Sequence, residues 1–129
     1  MGMSLNQTIK IIPMGKPRQT QSDKWNKRSV VVRYREFADE LRADWQGGVK
    51  TNNISIRFDM PMPKSWSEKK KNKMDGEPHQ QKPDVDNLLK SFFDAIFKMF
   101  DADDCMIYDC RVSKYWAREG SITYEETES

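Results

Sequence analysis

The stretch Lys82-Pro83-Asp84-Val85-Asp86-Asn87-Leu88-Leu89-Lys90, with the apolar periodicity that continues from it, leaves this chain few choices. Pro83 disfavours helix at the residue before it and suits the first turn of one. Asp84 or Asp86 can then cap the helix, because a carboxylate accepts from the free backbone N–H groups at a helix start. Val85, Leu88, Leu89, Phe92, Ile96 and Met99 recur at helical spacing, so Asp84 to about Phe100 reads as an amphipathic helix that buries them. Asn87, Lys90, Asp94 and Lys98 are left facing outward or toward a cleft. A second acidic cluster, Asp101-Ala102-Asp103-Asp104, follows at once.

A lone Asp at a helix start is usually a cap, and Asp86 with Lys90 at i,i+4 is a common surface pair. The combination is less ordinary: Asp-x-Asp-Asn, then Lys, then Asp-Asp one helix later. Carboxylates brought together repel and stay ionised only around a cation. Hard oxygen ligands of this kind suit Mg²⁺ or Mn²⁺, which keep waters and bind phosphate oxygens. A helix of about 15 residues is about 22 Å long. The two acidic clusters therefore meet within one chain only if it doubles back over the sheet, or else across a dimer interface.

The remaining pattern predicts a strand at Thr8–Pro13 and a long polar, basic loop at 14–29. A helix follows over Val32–Trp45, with Val32, Phe37, Leu41 and Trp45 on one face and Gly47-Gly48 as its stop. Asn53–Met60 alternates as a strand. Residues 61–83 hold prolines and seven Lys or His side chains with almost no apolar content, which predicts a mobile basic loop. Cys105–Trp116 reads as a long strand, Gly120 as a hairpin turn and Ser121–Glu125 as the last strand. The expectation is a single α+β domain over 1–129, in the order β-α-β-α-β-β, with a mixed four-stranded sheet and two helices packed on it.

Net charge is only +2, but it is unevenly spread. Residues 1–35 carry eight Lys or Arg against one acid, residues 64–82 six Lys against three acids, and residues 83–129 five bases against eleven acids. Basic arms beside an acidic centre are what a metal-dependent enzyme acting on a polyanion needs. Any one of these runs taken alone reads first as a solvated face or loop. Lys16, Arg18, Lys24, Lys69, Lys70, Lys71 and Lys73 are the candidate phosphate contacts. No run of about 18 apolar residues predicts a membrane span. The N-terminus lacks the apolar stretch of a signal peptide. Cys105 and Cys110, at odd spacing on one predicted strand, would face opposite ways, and two free thiols fit a reducing cytoplasm.

These residues resemble the RusA-like Holliday junction resolvases, small metal-dependent endonucleases of phages and prophages. The resemblance rests on residues 82–90, on Phe93-Asp94-Ala95-Ile96 and on Asp103-Asp104. Gly15-Lys16-Pro17-Arg18, Asp23-Lys24-Trp25, Arg33-Tyr34, Pro61-Met62-Pro63-Lys64-Ser65-Trp66 and Pro78-His79 are similar to the phage branch. It extends over about residues 7 to 125. It implies that Asp84, Asp86 and Asp104 bind Mg²⁺, with Mn²⁺ able to substitute and Asp103 as an alternate ligand, and that Lys90 is the catalytic lysine. It further implies a homodimer that resolves four-way junctions by paired nicks.

Lys90 has a plainer alternative, a salt bridge with Asp86 or Asp94. His79 reads as a DNA or active-site contact, or as a solvated loop residue. Trp25 and Trp66 read as base-stacking groups or as packing against the body. Lys114, on the strand face of Cys110 and Val112, reads as pointing inward toward the acids or as an edge lysine. Two other functions stay in view: a metal-dependent nuclease for flaps or other branched DNA, and a junction-binding module without catalysis, which would not need the three acids together.

Overall fold

The computed structural model describes residues 5–17, 26–101 and 104–127, with the side chains of residues 26–28 and 104 left out. Its elements are β1 (Asn6–Ile9), α1 (Asn26–Asp44), β2 (Ile54–Pro61), α2 (Glu68–Met74), α3 (Val85–Ile96), β3 (Cys110–Ala117) and β4 (Ser121–Glu126), with 3₁₀ turns at Phe97–Phe100 and Asp104–Met106. The strands form one mixed sheet in the order β1-β4-β2-β3. β2 and β3 run parallel, and the other pairs are antiparallel. The α+β class and the four-stranded sheet agree with the sequence reading. Among the described residues no helix is long and apolar enough to cross a membrane.

β2 is one of the two interior strands, between β4 and β3. Its period-2 alternation sends Ile54, Ile56, Phe58 and Met60 into the core. Its neighbour β4 sets Ile122 opposite Phe58 and Tyr124 opposite Ile56, so the same face continues across the sheet. α3 lays Leu88, Ser91, Phe92, Ala95 and Ile96 on that face, the i, i+3, i+4, i+7, i+8 stripe of a helix covering a sheet. α1 adds Phe37, Ala38 and Leu41, and the Trp45 ring beyond it meets Tyr124 at 4.9 Å and Phe92 at 5.6 Å, both edge-on. Each such large apolar side chain contributes about 1.5–3 kcal/mol by leaving water.

The clearest departure from expectation lies in residues 61–83. The stretch predicted as a loop contains a third helix, α2, with no buried residue. It has no apolar stripe, so hydrophobic periodicity gives no sign of it. Its causes are local: the Ser67 hydroxyl accepts from the Lys70 amide at 3.2 Å, Glu68 sits in the first turn, and lysines fill the last. Trp66 packs on Trp116 at 4.8 Å, and Arg118 binds both Glu68 (3.0 Å) and Asn72. Residues 76–79 then run along the outer edge of β3, through Gly76 N–H to Trp116 O (2.9 Å), Trp116 N–H to Glu77 O (2.9 Å) and His79 N–H to Lys114 O (3.2 Å). That pairing covers part of an otherwise open edge.

Smaller corrections follow. α1 begins before Val32, and Val32 is 47% exposed rather than on the buried face. The α-helix of residues 84–100 stops at Ile96 and tightens to 3₁₀, which turns Met99 outward, 42% exposed. The strand predicted from Cys105 starts at Cys110, so Cys105 and Cys110 do not share one strand.

A candidate active site at the head of the third helix

Asp84 is the N-cap residue of α3, with extended backbone (φ −67°, ψ 149°), and its carbonyl accepts from the Leu88 amide at 3.1 Å. Its side chain makes no capping hydrogen bond. The acid therefore occupies the cap position while its carboxylate stays available. Asp86, in the first turn, and Lys90, one turn on, are both exposed. At i,i+4 they share a face of the helix. Among the described residues no ion pair joins Lys90 to Asp86 or to Asp94.

Asp94 has other partners. It accepts from the Tyr34 hydroxyl at 3.0 Å, and Lys98 and Lys16 stand 3.0 and 3.7 Å from it. Burial by itself raises the Asp94 pKa, but the hydrogen bonds from Lys98 and Tyr34 and the Lys16 charge outweigh it and hold the carboxyl below its ordinary value. Burial, and then the same carboxylate, push the Tyr34 phenol well above its usual range. These contacts bring the loop before α1 over α3. The Ser91 hydroxyl donates to Met14 O at 2.6 Å, and Gly15 lies against Asn87.

On the other side of Asp84, Lys114 reaches over from β3. Its ammonium donates to Pro83 O at 2.7 Å and to Gln81 O. Burial lowers the Lys114 pKa, and the nearby Asp84 charge opposes that shift. His79 is not a solvated loop residue: it is 5% exposed, and its ring lies 4.2 Å from the Trp116 ring. Its Nδ1 is buried without a hydrogen-bond partner among the described residues. Burial and then the Lys114 charge lower its pKa.

The structure thus groups Asp84, Asp86, Lys90 and Lys114 around the head of α3. Asp104 opens a 3₁₀ turn beyond the far end of that helix, about 18 Å of α-helix away along the chain. Among the described residues no group of three His, Cys, Asp or Glu side chains forms a metal cluster. Asp103 and the Asp104 side chain lie outside the described residues, as do Arg18, Lys24 and Trp25.

Of the remaining basic candidates, Lys16 is the residue paired with Asp94. On α2, Lys69 and Lys73 are exposed, Lys70 lies 4.3 Å over the Trp66 ring, and Lys71 is 3.8 Å from Glu68. Asn87 and Tyr34 stand in motifs the sequence singles out, but what they and Ser91 touch is not legible there, because each contact joins segments far apart in the chain.

A family model described as endodeoxyribonuclease RusA matches residues 9–125. The chain belongs to the RusA endodeoxyribonuclease family. The match takes in every described element of the site, from the 11–17 loop to Lys114. This RusA-family chain is also similar to the uncharacterized protein YqaN of Bacillus subtilis (strain 168), with 37% identity over 74 residues. That alignment covers 54% of this chain and 52% of YqaN, so the chain spans about half the length of the curated relative it matches.

Proposed function

We propose that this chain is a Mg²⁺-dependent, structure-specific DNA endonuclease that resolves four-way (Holliday) junctions by paired symmetric nicks, working as a homodimer. The observation that carries the reading is the state of Asp84 and Asp86. Both are exposed carboxylates at one helix head, and neither side chain has a hydrogen bond or ion pair among the described residues. That donor set fits a hard divalent cation, held by Asp84 and Asp86 with Asp104, or Asp103, as the third acid. A bound Mg²⁺ or Mn²⁺ supplies a polarised phosphoryl oxygen and a water of lowered pKa.

The chain's own groups do the rest. Lys90 shares the Asp86 face and offsets charge on the scissile phosphate or orients the attacking water. Lys69, Lys70, Lys71 and Lys73 on α2, with Lys16, hold DNA phosphates on either side. A four-way junction has approximate two-fold symmetry, so a two-fold dimer offers one site to each strand to be cut. In such a dimer the acid from the far end of α3 would come to this site from the partner subunit.

The test is a side-by-side assay of mobile junctions, flaps and plain duplex with Mg²⁺ and with chelator. Symmetric, chelator-sensitive nicking of junctions supports the reading. Preferential cutting of flaps turns it into a general branched-DNA nuclease, and tight binding without cutting turns it into a binding module.

A further inference from the structure

Lys114 holds the segment before Asp84 at three points. Its backbone carbonyl accepts from the His79 amide at 3.2 Å, and its ammonium donates to the carbonyls of Gln81 and of Pro83, the latter at 2.7 Å. The strand beneath it is firm, since Lys114 pairs with Phe58 of the interior strand β2. Asp84 comes immediately after the last of these points and has no side-chain cap bond of its own to orient it. An ammonium carries three donors, and two of them are used on carbonyls.

We propose that Lys114 is a positioning residue for Asp84: it ties residues 79–83 to β3 and sets a fixed positive charge beside the Asp84 carboxylate. The role rests on Asp84 being a working acid of the proposed nuclease. Lys114 itself touches no phosphate in this assignment. Its contribution is to keep the head of α3 in one place before DNA and metal arrive, so that the acid needs no further ordering at the moment of reaction. The plainer alternative is a lysine that merely fastens a loop to a sheet edge. Such a fastening contributes to stability but does not separate the rate of cutting from the affinity for DNA.

The test compares Lys114→Met, which removes donors and charge, with Lys114→Arg, which keeps both. Single-turnover cleavage of a mobile junction is measured in Mg²⁺, junction affinity is measured separately, and amide hydrogen exchange is followed on the free chain. Lys114→Met is expected to cut about 10-fold more slowly or worse, with junction Kd within about threefold of wild type. Exchange at the His79 and Leu88 amides, which are bonded to Lys114 O and Asp84 O, is expected to quicken by about 10-fold while β2 and β4 keep their protection. Lys114→Arg restores the rate to within about threefold. Wild-type cutting by Lys114→Met, or faster exchange spread evenly over the whole chain, overturns the assignment. If Lys114→Met does not fold, Lys114→Gln, which keeps a donor and loses the charge, takes its place with the same readings. A wild type that cuts no DNA defeats the proposed function, and the exchange measurement still decides whether Lys114 holds the head of α3.

Discussion

Gly15 and Asn87 touch: a Cβ built on Gly15 would collide with the Asn87 side-chain amide and stand 3.4 Å from Pro83 Cβ. The loop after β1 and the acidic head of α3 are therefore packed backbone against side chain. Gly15→Ala should push the Asn87 amide aside at a cost of about 1 kcal/mol, the low end for overpacking because the obstacle is the end of a side chain. The expected reading is a lowered melting temperature. In an Asn87→Ala background, where the amide is gone, the same change should cost little, a coupling that a double-mutant cycle measures. An unchanged melting temperature in Gly15→Ala would refute the contact.

Asp84→Asn and Asp86→Asn should each slow cleavage by about 100-fold or more, since about 3 kcal/mol of lost transition-state stabilisation is a factor of about 100. Asp104→Asn should do the same if it completes the set. Junction binding should hold or tighten, because each change removes a negative charge that repels DNA phosphates. An Asp86→Asn chain that cuts at the wild-type rate in Mg²⁺ removes Asp86 from the site.

Divalent ions should raise the melting temperature of the free chain, because a ligand bound only by the folded state at about 100 times its Kd adds about 2.7 kcal/mol. The measurement is melting in Mg²⁺ or Mn²⁺ against chelator. No shift at saturating metal argues against a site formed before DNA binds. A shift unchanged in Asp84→Asn locates the ion elsewhere.

The α2 lysines can be counted by salt. Replacing Lys69, Lys70, Lys71 and Lys73 with Ala should weaken junction binding and flatten the log–log salt slope by about two to four, at about 0.9 per phosphate contact. The lower figure applies if Lys70, over Trp66, and Lys71, beside Glu68, stay committed to the protein. An unchanged slope means that the helix only solubilises the chain.

Asp94 should show itself in acid. Its folded pKa lies below the ordinary value, so it stabilises the fold above the unfolded Asp pKa, and that contribution is lost as pH falls through the folded one. Asp94→Asn should cost about 1.5 kcal/mol at neutral pH, the scale of a hydrogen bond to a charged group. The gap between variant and wild type should close below the usual carboxylate range. Denaturant melts from neutral pH down through that range read this directly, and a gap independent of pH would contradict it.

Elements with a local pattern are legible in the residues alone. Ile54, Ile56, Phe58 and Met60 alternate because a half-buried strand demands it. Leu88, Phe92 and Ile96 recur because a helix lying on a sheet demands it. Pro83 followed by Asp84 marks the head of α3 to within a residue, and the spacing of Asp84, Asp86 and Lys90 is what makes that turn the proposed place for chemistry. Helix α2 is not legible in this way, because its stability comes from the Ser67 cap and from Trp66 on Trp116 rather than from an apolar stripe.

The surroundings of the acids, by contrast, arise only when the chain is folded. The parallel pairing of β2 with β3 carries Lys114 to Gln81 and Pro83, and the pairing of residues 76–79 with β3 buries His79 against Trp116. The return of the 11–17 loop sets Met14 on Ser91 and Lys16 beside Asp94. These pairs lie 31 to 78 positions apart in the chain, a separation at which no local propensity acts and only the shared burial of one core brings side chains together.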